Sequence, residues 1–262
     1  MILAPLAVSG IGAWAIGTPD WAAMRAVARG EAPPAADAPK KPAPTLLPPN
    51  ERRRAPDSVL LALQVAQAAC DAAQADRAAT PSIFASTHGD LAITDATCRT
   101  LADVPTDISP TRFHNSVHNA AAGYWTIGVG CHAPSTALSA YRATFAQGLL
   151  EAAMQLDAGA PQVLLVAYDS FASGPLAAVS GSEGLLGFAL LLDRSPSTPL
   201  RLTLSLHPGE APALPAGALN DLAGRNAMAP ALVLVDALAN QRAACELPAG
   251  QDLVLRVELA YG

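Results

Sequence analysis

The run Val163 to Ala167, VLLVA, carries no polar residue at any position. A strand that alternates polar and apolar residues buries one face, whereas one that does not alternate must be covered on both. That requirement confines the fold to helices layered on both sides of a sheet, the α/β class. The preceding segment agrees: Phe145, Leu149, Ala152 and Leu156 fall at i, i+4, i+7 and i+11 and place one apolar stripe on one helix. Between the small-residue segment Ala133 to Ala140 and that helix the chain reads Leu138, Ser139, Ala140, Tyr141, Arg142. A strand, a sharp turn and a helix is a common mounting for a nucleophile.

Earlier parts of the chain add further elements of the same kind. Leu6 to Trp14 is expected as a first strand ending in a glycine turn, and Trp21 to Arg29 as a short helix. Residues 31–50 are rich in proline and include Lys40 and Lys41, so they are expected to form an extended surface connection. A helix from about Asp57 is marked by Val59, Leu63, Ala66 and Cys70, with Asp57 placed to cap it or to face its positive end. Ser82 to Ser86 is the next strand, followed by His88 at its carboxyl end and a helix from about Thr94 to Leu101. After Asp169 a loop rich in Ser, Ala and Gly, Phe171 to Glu183, leads to a strand over Leu185 to Leu192. The texture then changes. Leu200, Leu202, Leu204 and Leu206 alternate with polar residues, as do Leu253, Leu255, Val257 and Leu259 in large part, which predicts strands with one buried face. With a helix over Ala227 to Asn240 between them, residues 196–262 are expected to be a strand-helix-strand appendage on the edge of a main unit, residues 1–195.

An apolar fraction of 51% over 262 residues is ample for a substantial core. The net charge of −6 argues against nucleic acid or an anionic membrane as partner. Cys70, Cys98, Cys131 and Cys245 form no C-x-x-C pair and are expected to be reduced core residues. The apolar first 17 residues lack a basic start and contain Pro5, Gly10, Gly12 and Gly17, so neither a cleaved leader nor a membrane span is expected, and a cytoplasmic location follows. His114 and His118 would share one helix face at i, i+4, with His132 and Cys131 nearby. The H-E-x-x-H metalloprotease pattern requires Glu where Asn115 stands, and no third ligand has a recognisable spacing, so no metal and no cofactor is expected. Arg52, Arg53 and Arg54 form the densest basic run, suited either to the phosphate of a carrier arm or to a solvated helix entry.

Asn119 to Ser135 reads NAAAGYWTIGVGCHAPS and is followed by TALSAY, a long helix and GAPQVLLVAYD. This run resembles the core of β-ketoacyl synthases of the thiolase fold, which carry an Asn-Ala-x-x-Gly helix start, a Gly-Pro turn and a Thr-Ala-Cys elbow ahead of the helix and buried strand. V-S-G-I-G near the start, a short helix and a Gly-Glu pair also match how such an enzyme opens. The resemblance covers most of residues 5 to 192. With one residue of slippage, Thr-Ala-Cys falls on Ser139, Ala140 and Tyr141, so no cysteine stands at the elbow. The second-half histidine motifs, Gly-Thr-x-Thr-x-x-x-Asp and Gly-His-x-x-Gly-Ala, do not occur, and His207 lies in a context that matches neither. The resemblance therefore implies a truncated thiolase-like fold with an N-terminal half and a short remnant of the second.

Condensation in that family needs a thiolate to hold the acyl chain and imidazoles to assist decarboxylation and stabilise the oxyanion. A phenol with an ordinary pKa near about 10 is a poor acyl carrier. The pattern RFHNSVHNAAAGYW without an elbow cysteine is most similar to the chain-length-factor-like proteins of aryl polyene and xanthomonadin-type pigment clusters. Such a non-catalytic subunit implies two partners: a full-length β-ketoacyl-ACP synthase in a heterodimer, and, transiently, an acyl carrier protein with its phosphopantetheine arm. Tyr141 and Phe145 are then candidates for bulky groups near the tunnel and interface, with His114, His118 and Asn119 beside them. Two other readings stay open. Ser139 with His88, His114 or His118 as base would make a stand-alone hydrolase or acyltransferase, although G-x-S-x-G is absent, and a carrier-binding scaffold would shape no tunnel.

Overall fold

An eight-stranded sheet with helices on both faces organises the chain in the computed structural model, which describes residues 3–195 and 198–262. In chain order the elements are β1 (Leu6–Ala15), α1 (Trp21–Ala28), α2 (Pro49–Arg52), α3 (Asp57–Ala72), β2 (Ser82–Ala85), α4 (Leu91–Asp103), α5 (Pro110–Ser116), α6 (Ala120–Val129), β3 (Ser135–Leu138), α7 (Thr144–Asp157) and β4 (Gln162–Asp169). There follow β5 (Leu186–Asp193), β6 (Leu200–Pro208), α8 (Ala218–Ala223), α9 (Leu232–Ala239), β7 (Ala244–Gly250) and β8 (Leu253–Tyr261). The strand order is β3-β2-β4-β5-β1-β6-β8-β7, with β3, β2 and β4 parallel and the remaining neighbours antiparallel.

The reading of VLLVA holds at the level of single residues. Val163, Leu165 and Ala167 join one hydrophobic core with α7, α9 and the first helix, while Leu164, Val166 and Tyr168 join a second core with α3 and α6. On α7 the stripe Phe145, Leu149, Ala152 and Leu156 lies in the first of these cores.

Strand β1 reaches both layers through an irregularity. Its pairing with β5 shifts register between Val8 and Gly10, so Leu6 and Val8 before the bulge and Ala13 and Ala15 after it face the same core. Gly10 and Gly12 then face α3. A Cβ at Gly12 would stand 2.0 Å from the Val65 carbonyl oxygen, and one at Gly10 2.0 Å from that of Ala69. The two glycines of V-S-G-I-G thus let a helix backbone lie directly on a strand. Helix α3 is accordingly buried around most of its circumference, beyond the single stripe expected.

Several expectations change. Asp57 does not cap α3: the N-cap is Pro56, and Asp57 pairs with Lys41 at 3.1 Å in the first turn. The proline-rich segment is not wholly solvated, because Leu47 is buried and the Leu46 amide donates to Gln67 Oε1 at 3.1 Å. Helix α4 runs from Leu91 to Asp103, longer than its apolar pattern indicated, because the Asp90 side chain caps it by accepting from the Ile93 amide. Cys98 is exposed and Cys245 half-buried, so only Cys70 and Cys131 are core residues; all four are free thiols, and burial pushes those of Cys70 and Cys245 up to about 12. The appendage is also different. It contains a further helix, α8, and a further strand, β7, and its strands extend the main sheet through the pairs Leu6 with Leu202 and Ala7 with Arg201. Strand β7 gives no strand signal in the sequence because it holds Pro248 and Gly250, tolerated at an edge where a proline costs no ladder bond.

Candidate functional site

Strand β3 lies at the sheet edge and stops at Leu138. The chain turns through Ser139 and Ala140 into a 3-10 turn over Tyr141–Ala143 and then α7. Thr144 holds the turn: its hydroxyl accepts from the Ala140 amide at 3.0 Å and donates to the Tyr141 carbonyl at 2.7 Å. Tyr141 itself has a φ of 52°, in the left-handed region where a non-glycine residue is strained by about 1 kcal/mol. Its side chain is 58% exposed. A strained residue presented from a strand-to-helix turn is the geometry of a nucleophile elbow, here bearing a phenol.

Beside the elbow the parallel strands β2 and β4 end together on Asp169. Its buried carboxylate accepts from Ser86 Oγ at 2.7 Å, from the Thr87 amide at 3.0 Å and from the His88 amide at 3.4 Å. Desolvation pushes this carboxyl above the usual range, opposed by the hydrogen bonds from Ser86 and Thr87 and by the nearby His88 imidazole. The knot extends outward. Gly89 N–H donates to Ser86 Oγ at 2.8 Å, the His118 ring bonds the Ser86 carbonyl at 2.8 Å through Nε2, and Ser139 Oγ donates to the Thr87 carbonyl at 2.9 Å. Asn226 Nδ2 donates to the carbonyls of Asp169 at 3.2 Å and Glu183 at 3.0 Å, and so pins both ends of the loop between β4 and β5.

A cleft of about 920 Å³ opens over these strand ends. Tyr141, Arg142, His88, Thr87 and Ser180 line it, facing residues 209–214 and 250–253 of the tail together with Arg225, Asn226, Pro230 and Pro248. Among the sequence-predicted residues it brings Tyr141, Arg142 and His88 together. It leaves the others apart. Phe145 is 1% exposed and packs against Phe188 with ring centroids 5.9 Å apart, so it is a core aromatic beneath the elbow. His114 and His118 do not share a helix face, because α5 ends at Ser116; His114 stacks edge-on with Tyr124 and Asn119 is exposed at the start of α6. Ser139 is bonded to a carbonyl, and no imidazole among the described residues is bonded to it, so the expected Ser139–His pair is not formed. Arg52 donates to the Pro44 carbonyl at 3.2 Å and Arg53 to Asn50, while Arg54 is exposed, all remote from the cleft lining. The described residues contain no group of three or more His, Cys, Asp or Glu placed to hold a metal ion, and no helix long and apolar enough to cross a membrane.

The site therefore places the chain among α/β proteins that present one group from an elbow at the mouth of an open cleft. The chain belongs to the beta-ketoacyl synthase family, whose N-terminal domain matches residues 20–252. No curated protein matches it in sequence. Among solved structures it is similar to a chain of the ketosynthase (ApeO) in complex with its chain length factor (ApeC) from Xenorhabdus doucetiae, with a TM-score of 0.75 and 23% identity over 97% of this chain and 99% of that one. A chain of the ishigamide ketosynthase/chain length factor gives a TM-score of 0.72 and 16% identity over 98% and 99%. A chain of AntDE:AntF, a type II PKS acyl-carrier protein in complex with its ketosynthase, gives 0.74 and 13% over 99% and 100%. Each matched chain is thus of like length to this one, and the fold is the thiolase-like fold of ketosynthases.

Proposed function

We propose that this chain is a non-catalytic ketosynthase-like subunit, a chain length factor, that pairs with an active β-ketoacyl-ACP synthase in aryl polyene or polyketide-type chain elongation. The observation that carries the proposal is the intact elbow with Tyr141 in place of a thiol. A phenol there cannot hold an acyl chain as a thioester, but a large exposed side chain at that point can block the end of a tunnel running in from a partner. The absence of the second-half histidine motifs from the sequence supports the same conclusion. Residues 1–195 are assigned to the ketosynthase-like half, and 196–262 to a shortened appendage that closes one wall of the cleft.

The pairing surface is assigned to the edge formed by β3. Its outer backbone groups have no strand neighbour among the described residues, and α6, packed beside it, exposes Ile127 at 80%. Phe113 at 60% and Val117 at 43% continue the apolar surface from α5. An exposed edge strand flanked by apolar residues favours burial against another chain. The similar chains come from complexes of a ketosynthase with a chain length factor or an acyl-carrier protein, and this chain is assigned the same company: a ketosynthase as stable partner and a carrier protein as a transient one. Arg52, Arg53 and Arg54 are assigned to the carrier contact.

Two measurements test this reading. Co-expression with a full ketosynthase from the same genome should give a stable one-to-one complex by size exclusion with light scattering; a chain that stays alone beside every such ketosynthase removes the physical basis of the proposal. In the reconstituted complex, Tyr141→Ala should lengthen the product. Unchanged length with intact assembly would instead identify a carrier-binding scaffold.

A further inference from the structure

The cleft holds a serine-imidazole pair that neither the elbow nor the pairing surface uses. Ser180 Oγ and His88 Nε2 are hydrogen-bonded, and both residues are half-buried and line the cleft. Each side of the pair is held in place by its backbone. His88 lies three residues beyond the end of β2, and its amide is bonded to Asp169. Ser180 sits after the 3-10 turn Pro175–Ala178, with its amide bonded to the Leu176 carbonyl at 2.9 Å. Beyond it the loop is tied down: Ser182 Oγ donates to the Ser170 carbonyl at 2.7 Å, the Ala172 amide to the Ser182 carbonyl at 2.7 Å, and Asn226 grips Glu183. The pair thus joins two anchored segments from distant parts of the chain.

A third group completes the arrangement. Thr87 lines the same cleft, and its buried Oγ1, which lies against the Asp169 carboxylate, makes no well-formed hydrogen bond among the described residues. Buried hydroxyls are nearly always bonded, so one left without a well-formed bond beside a cleft is free to turn toward a ligand acceptor. Part of the cleft wall suits an apolar chain, with Val179 79% exposed, Leu253 42%, and Leu214 and Pro230 beside them, while Arg142, Glu210 and Arg225 make other parts of it charged. A serine bonded to an imidazole, a hydroxyl donor and an apolar stretch of cleft wall are the parts required for acyl transfer to water.

We propose that Ser180 and His88 form a second, hydrolytic site that cleaves activated acyl esters, with Ser180 as nucleophile, His88 as general base and Thr87 as donor to the carbonyl oxygen. Ser180 Oγ adds to the acyl carbonyl as its proton passes to His88 Nε2, and the negative charge on the carbonyl oxygen is met by Thr87 Oγ1–H. Collapse of the adduct breaks the bond to the leaving sulfur or oxygen, which takes the proton from Nε2. Water then adds to the acyl-serine, giving a proton to Nε2; the acid leaves, and Ser180 Oγ recovers that proton. The net change is ester plus water to acid plus thiol or alcohol. Identification of the natural substrate as an acyl thioester rests on the proposed function; the hydrolytic chemistry does not.

The test uses the purified full chain without a ketosynthase, a fluorophosphonate probe and p-nitrophenyl hexanoate. Peptide mapping of the unmodified protein should find the probe on Ser180, and the ester should be hydrolysed. Ser180→Ala should lose both, and His88→Gln should slow labelling about 100-fold, the usual share of a general base, with an unchanged thermal melt. Absence of labelling, labelling at Ser139 instead, or wild-type labelling rates in His88→Gln would each overturn the proposal. Mapping on the unmodified chain needs no variant to fold. Because it also needs no partner, its failure leaves the heterodimer reading standing, and failure to form a heterodimer leaves this one standing.

Discussion

Gly12→Ala should lower the melting temperature by roughly 10 °C, a loss of about 3 kcal/mol for a chain of this size. The added methyl would stand 2.0 Å from the Val65 oxygen, 2.9 Å from its carbonyl carbon and 3.0 Å from the Ala69 nitrogen. All three are helix backbone atoms, so no rotamer change can relieve the clash; either α3 moves off the sheet or the strand bends. Both disturb the core that α3 shares with α6, because α3 packs against β1, β4 and β5. Gly123→Ala is the matched control. That glycine lies within α6, and a Cβ there would meet nothing within 4 Å. Replacing it should be neutral or should stabilise by up to about 1 kcal/mol through helix propensity. Thermal melts of the two variants decide the matter, and a Gly12→Ala melt within 2 °C or so of wild type would show that the close approach of α3 and β1 is not as described.

Asp169→Ala should cost about 2–3 kcal/mol and blunt every property of the cleft, since it strips an acceptor from Ser86 Oγ and from the amides of Thr87 and His88. Those donors lie too deep for water to replace the carboxylate without disturbing the ends of β2 and β4. A pH series gives the independent check. Burial raises the Asp169 carboxyl above its unfolded value of about 3.9, so the folded protein binds that proton more tightly than the unfolded chain. Its favourable contribution is therefore fully present below the unfolded pKa and is lost as pH rises through the raised folded value. Asp169→Asn retains a carbonyl acceptor and carries no titrating proton. The melting temperature of Asp169→Asn relative to wild type should become more favourable as pH rises across that window. A difference that stays flat with pH would mean that Asp169 does not titrate as its burial dictates.

Local signals were enough for much of the architecture. VLLVA placed a doubly covered strand, the Phe145-to-Leu156 stripe placed the helix that covers it, and Ser139 to Arg142 marked the turn between strand and helix. Each of these depends on neighbours within a few residues, so periodicity and turn chemistry are sufficient to read them. The elbow residue Tyr141 was legible for the same reason, from its place in a contiguous motif. Other features had no local signature. The bulge that lets Val8 and Ala13 face one core appears only in the register against β5, and the closeness that requires Gly10 and Gly12 is set by a helix more than fifty residues away.

The site shows the same division more sharply. His88 was found because a strand end is a local feature, but its partner Ser180 is 92 residues further on in a loop whose composition indicated only flexibility. Asp169, Asn226 and Thr87 carried no pattern at all; each matters through hydrogen bonds made when β2 comes to lie beside β4 and the tail folds over the cleft. Local pattern alone specifies a layered α/β protein with a strand-to-helix turn that bears a tyrosine and no cysteine. Which distant side chains share the cleft is settled on folding, because hydrogen bonds and close packing between segments far apart in the chain leave no periodic trace in either segment alone.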